Sequence, residues 1–180
     1  MTHPSPEHSD AWVEVEVDHA TFWLIDPDIH PGHLPQGSNG LIGADEPGAA
    51  AILTGVANGP VSVSVAPRSA PPSAVDLASW EEMMDISVES TTGALRVASP
   101  VDGTVPDLPP LTCAGPGTYR VRVHARGRDT LYDLVTDEPV EDYLILAWPA
   151  PAAPETFHKA SDITGANYRL SAARRTNEER

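Results

Sequence analysis

The chain has one cysteine, Cys113, and one lysine, Lys159. A lone thiol excludes an internal disulfide and a cysteine-built metal cluster, and makes a reducing compartment the simpler setting. No stretch approaches the roughly eighteen apolar residues of a helical membrane span. Residues 1–10 have neither a basic nor an apolar signal region, so they do not read as a secretory leader. These absences together predict a soluble, cytoplasmic protein. The signatures GxxxxGK[ST], GxSxG, HExxH and GxGxxG are all missing, so no phosphate loop, nucleophile elbow, zinc helix or dinucleotide fingerprint is expected.

Positive charge is scarce and late. The first basic side chain is Arg68, and up to Thr118 only Arg68 and Arg96 stand against sixteen acids. From Tyr119 onward ten acids meet nine bases, so almost all of the net charge of −15 belongs to the first two thirds. A one-sided negative field repels nucleic acid and anionic lipid and attracts basic protein surfaces. Acidity of this kind also serves solubility or salt tolerance with no partner at all.

What the chain does have is punctuation: nineteen prolines and thirteen glycines spread over 180 residues, with 41% apolar content. That suits short strands and turns. Apolar residues recur with period two. Val13, Val15 and Val17 alternate with Glu14 and Glu16; Val61, Val63 and Val65 alternate with serines; Tyr119, Val121, Val123 and Ala125 alternate with Arg120, Arg122 and His124. Continuous apolar runs at Thr21–Ile25 and Tyr143–Trp148 read as central strands, and Met83–Glu89 as another. Asn58-Gly59 carries the strongest hairpin signal, joining a strand at 50–56 to the next. Residues 99–117 read as a loop. The expectation is an all-β fold, an antiparallel β-sandwich or jelly roll of about eight to ten short strands with at most short helical turns. A single domain is expected over 11–170, with flexible termini at 1–10 and 171–180.

Several clusters are weighed for chemistry. His30 and His33, with Asp28 or Asp26, form the candidate metal site, since imidazoles three apart in a loop can reach one ion; solvated loop histidines are the bland alternative. Arg120, Arg122, His124 and Arg126 form a ridge that would either grip an anion or pair with an acidic neighbour strand, Glu14/Glu16 or Glu141/Asp142. Cross-strand pairing is the expected outcome. Cys113 lacks a neighbouring base, so no nucleophilic role is assigned. Trp12, Trp23 and Trp148 are expected in the core, whereas Trp80 beside Glu81 and Glu82 is expected partly exposed, as an interface anchor.

The stretch Gly117-Thr-Tyr-Arg-Val-Arg-Val123, followed by Glu141-Asp-Tyr-Leu-Ile-Leu-Ala-Trp-Pro149, resembles the closing strands of small uncharacterised bacterial β-sandwich proteins. More remotely it is similar to the ComJ-type competence nuclease inhibitors. The resemblance implies an antiparallel sandwich and a binding role toward a nuclease; it carries over no site residue.

The functional expectation is a non-enzymatic acidic binding module, of the immunity or inhibitor kind, for a basic partner such as a nuclease or toxin. Glu14, Glu16, Asp45, Glu46, Trp80, Glu81 and Glu82 are its expected contacts, with no cofactor, nucleic acid or membrane. The alternative is a small-ligand- or metal-binding sandwich, or an enzyme, using the His30/His33 loop. Self-association through a strand edge is a third reading.

Overall fold

The computed structural model describes residues 11–31 and 37–180. Among them are eleven strands and one helix: β1 Val13–Val17, β2 Thr21–Ile25, β3 Ile42–Glu46, β4 Ala49–Leu53, β5 Gly59–Pro67, β6 Glu82–Ser90, β7 Arg96–Ser99, β8 Gly103–Thr104, β9 Gly117–Arg126, β10 Asp142–Pro149, β11 Thr156–Ala160 and α1 Ile163–Glu178. They form two sheets, of order β1-β5-β10-β9-β6-β11 and β3-β4-β2-β7-β8. No helix among the described residues is long and apolar enough to cross a membrane.

The alternating valines do what their period dictates. Val15 and Val17, Val61, Val63 and Val65, and Val121 and Val123 all turn inward and join Phe22, Leu24, Ile52 and Val97 of the second sheet in one core. Phe22 meets Tyr143 edge-to-face at 5.1 Å, closing the space between the sheets.

Four expectations are corrected. The larger sheet is not wholly antiparallel: β5 and β10 run parallel, Val63 opposite Tyr143. Asn58-Gly59 does not close a hairpin, because β4 and β5 lie in different sheets, and it forms the crossover between them. Asn58 bridges to Val135 instead. Two short strands went unforeseen: β8 within the expected 99–117 loop, and β11, which pairs with β6. Finally, α1 is a helix of 16 residues, beyond the helical turns expected. Asp162 caps it, accepting the Gly165 N–H at 2.6 Å, while Asp129 accepts the N–H groups of Ile163 and Thr164 at 2.9 and 2.8 Å.

Candidate partner-binding surface

The outer face of the larger sheet is read from its register. Glu14 lies opposite Ser62, Ser62 beside Asp142, and Asp142 opposite Arg126, so one row crosses four strands. Arg126 Nε donates to Asp142 at 2.8 Å. Four residues back along β9, Arg122 makes a two-pronged bond to Asp85, its directly paired residue on β6, at 2.7 and 3.0 Å. His158 sits 3.0 Å from the same carboxylate. Burial pushes the Asp85 carboxyl up, but hydrogen bonds from Arg122 and His158 outweigh it and leave the group below its usual range. Arg120 donates to the carbonyls of Ala153 and Pro154 and to the hydroxyls of Ser87 and Thr156. The arginine ridge is therefore internally paired. Asp142 is a partner that its sequence neighbourhood suggests; Asp85 is not.

The tryptophans exchange places with expectation. Trp80 is only 6% exposed, whereas Trp12 is 45% exposed. The Trp80 ring is covered by Trp12 (6.5 Å, interplanar angle 27°), by the Arg126 guanidinium (4.7 Å) and by His124 (5.3 Å). The exposed tryptophan is thus Trp12, which leads into β1 on the same side as the exposed Glu14 and Glu16.

Glu82 is also corrected. It is fully buried and faces inward, paired with Ala125. There it joins a buried ionic cluster that fastens α1 to the sheets. Arg128, with no exposed surface, donates Nε and Nη2 to Asp162 at 2.7 and 2.8 Å and Nη1 to the carbonyls of Gly40 and Leu53 at 2.9 and 3.1 Å. Arg169 of α1 donates to Glu82 at 3.0 Å. Burial pushes the Glu82 carboxyl above its usual range, against the pull of Arg169. Beside this cluster Glu141 accepts from the N–H groups of Gly55 and Val56 and from the Tyr143 hydroxyl; burial raises it too.

The remaining expected contacts separate. Asp45 and Glu46 end β3 and line a hollow of about 200 Å³ with Pro47, Ser87 and Glu89. That hollow abuts β6, four strands from β1, or roughly 19 Å away at ladder spacing. Glu81, half-buried, accepts the Gly127 N–H at 3.2 Å. In the proposed metal loop, Asp28 and His30 are exposed, and His33 lies outside the described residues. Asp26 is buried and accepts five bonds from Ser90, Thr91 and Thr92. Burial raises its carboxyl, yet those bonds outweigh burial and hold it low. No group of three His, Cys, Asp or Glu placed to hold a metal occurs among the described residues. Cys113 is exposed, its Sγ donating to the Arg68 carbonyl.

One surface was not anticipated. The β9–β10 connection carries Tyr132, Leu134 and Val135 into solvent, with Ile163 of α1 also exposed. Their only sequence signal is a short apolar run broken by one acid, Tyr132-Asp-Leu-Val135.

No family model and no curated protein matches this chain in sequence. Among solved structures it is similar to ComJ of Bacillus subtilis, an inhibitor of the DNA-degrading activity of NucA: 14% identity, TM-score 0.53, over 78% of this chain and 96% of that one. A second structure, described as crocagin biosynthetic gene J, shares 15% identity at TM-score 0.47 over 77% of this chain and 96% of its own. At such identities the ComJ likeness is one of fold.

Proposed function

We propose that this chain is a non-enzymatic β-sandwich binding module whose acidic surface docks on a basic protein, in the manner of an immunity or nuclease-inhibitor protein. One observation carries the reading: the arginines of the strands and their loops are buried or engaged in structural bonds. Among the described residues the exposed cations are confined to the last turns of α1 and just beyond (Arg174, Arg175 and Arg180), while many acids stand exposed. Arg120, Arg122 and Arg128 are buried, and Arg122, Arg126, Arg128 and Arg169 each engage a carboxylate. Glu14, Glu16, Asp45, Asp133, Asp137 and Glu138 are exposed. Such a surface accelerates encounter with a basic partner, with carboxylates standing where the partner would hold phosphates. The shared fold with a nuclease inhibitor supports the same class of role, and the cytoplasm is its proposed setting.

The edge strand β1, presenting Trp12, Glu14 and Glu16 on one side, is the proposed contact line. The test is affinity capture from the native host's lysate at low and high salt, followed by nuclease assays on what elutes. A basic nuclease retained at low salt, shed at high salt and inhibited by the protein is the expected result. Retention indifferent to salt and to Glu14→Lys with Glu16→Lys removes the proposal.

A further inference from the structure

The loop that carries Tyr132, Leu134 and Val135 is held in place along its whole length. Asp133 donates its N–H to the Gly55 carbonyl at 2.8 Å, Ala57 donates to Leu134 at 2.8 Å, and Thr136 donates to Asn58 at 3.1 Å. The approach requires bare glycines opposite it. A Cβ on Gly55 would lie 2.0 Å from the Arg128 carbonyl oxygen, and one on Gly59 (φ +121°) 2.1 Å from that of Thr136. Asp133 itself sits in the left-handed region at φ 58°. Backbone strain and close packing therefore fix a loop whose apolar side chains face water, Val135 being 72% exposed. Grouped on a fixed backbone, exposed apolar side chains of this kind offer a ready contact surface.

The surroundings state the occupant's chemistry. Asp129, Asp133, Asp137 and Glu138 are exposed on this loop, and Tyr132, Asp129 and Ile163 share a hollow of about 130 Å³ with Thr164 and Asn167. The acidic end of β1 adjoins it: Glu16 pairs with Pro60, Val17 with Gly59, and Asn58 donates its side-chain amide to Asp18 at 2.6 Å. An apolar centre whose charged neighbours on the loop, Asp129, Asp133, Asp137 and Glu138, are carboxylates complements a segment with aliphatic or aromatic side chains between Lys or Arg.

We propose that the Tyr132–Val135 loop and the first turn of α1 form the apolar anchor site for a basic protein partner, so that recognition needs basic-apolar sequence and not positive charge alone. The inference rests on the acidic-docking reading and adds the anchor to it. Two matched synthetic peptides test it, one alternating Arg with Leu and one alternating Arg with Ser, by fluorescence anisotropy and amide-resolved NMR. The Arg-Leu peptide is expected to bind about tenfold tighter, since two aliphatic contacts are buried on docking. Its shifts are expected at residues 129–138 and 163–167. Leu134→Ser with Val135→Ser, at exposed positions that spare the core, is expected to abolish the advantage, while Glu14→Gln with Glu16→Gln weakens both peptides alike. Equal affinities, or an advantage that survives the loop variant, overturns the anchor and leaves the acidic reading standing. Failure of both peptides to bind at low salt overturns both.

Discussion

Replacing Arg128 by Met would keep much of the aliphatic stem and remove the guanidinium charge from a fully buried site. The guanidinium donates to both oxygens of Asp162 and to the carbonyls of Gly40 and Leu53, and lies 4.0 Å from Glu82. Met leaves one buried carboxylate without its partner and two carbonyls without donors. Breaking a buried pair in this way costs about 3–5 kcal/mol. Glu82 keeps Arg169 and already has its carboxyl pushed upward, so it can relieve part of the loss by taking a proton. The expected loss at pH 7 is therefore near the lower bound, about 3 kcal/mol, and shrinks as the solution is acidified. Urea unfolding followed by far-UV circular dichroism reads it directly; for a chain of this size it corresponds to a fall in Tm of roughly 6–12 °C. Because Asp162 caps α1, amide exchange in the first turn of the helix should rise most. Adding Asp162→Asn, which retains an oxygen for the Gly165 N–H, should recover part of the loss. A penalty below about 1 kcal/mol at pH 7, or one that grows on acidification, would refute the assignment of Arg128 as the counter-charge of this cluster.

Burial holds His124 at about 4, against the hydrogen bond to the Leu144 carbonyl, so the neutral ring is the folded form. The stability this confers is complete above the unfolded value near 6.5 and is lost as pH falls toward 4, by about 2 kcal/mol between pH 7 and pH 5. Over that window the raised carboxyls of Glu82 and Glu141 act in the opposite sense. The comparison is therefore with His124→Gln, which should lose less stability between the two pH values; identical pH curves would remove the histidine's role. Tyr143→Phe takes one donor from buried Glu141, which keeps the N–H groups of Gly55 and Val56. A loss of about 1–2 kcal/mol in thermal unfolding is expected, and no change would show that the hydroxyl is dispensable to the carboxylate. Gly55→Ala sets a Cβ 2.0 Å from a backbone oxygen, so a loss of at least about 1–3 kcal/mol should follow, and a melting curve that does not move would contradict the packing described.

The period-two strands were legible because each turns a continuous row of valines to one core, a property of the segment alone. Partners in the sheets were not. Asn58-Gly59 has the chemistry of a hairpin turn, yet pairing across sheets decides where the chain goes next, and β5 finds β10 some eighty residues away. Glu82 was readable in part: Met84, Ile86 and Val88 point inward, and two residues back along the strand the same parity places Glu82 inside. The local cue of adjacent acids beside a tryptophan argued for a solvated pair and prevailed wrongly. Its counter-charges, Arg128 and Arg169, are distant in sequence, so nothing local showed that burial could be compensated. Helix α1 escaped because it has almost no apolar stripe; only Thr164 and Gly165 are buried, and polar bonds from Asp129, Asp162 and Tyr168 hold it. The exposed loop at Tyr132–Val135 gave no period at all, since its conformation is set by glycines on another segment.

Ion pairing decides what the surface looks like from a distance. A paired Arg and Asp contribute a dipole, whose field falls off faster than that of a single charge, and at physiological salt fields fade over about 8 Å. Asp142 and Asp85 are partnered on the outer face, whereas Glu14 and Glu16 stand exposed on β1 at the edge of the same sheet. The field at that edge therefore comes from carboxylates with no structural duty. The acids split into two sets that mutation can separate: Glu82, Asp162 and Asp26 hold the fold, while Glu14 and Glu16 should tolerate charge reversal within about 0.5 kcal/mol of wild-type stability. A binding loss on reversing the second set can then be assigned to the encounter, because the fold that presents those charges does not depend on them.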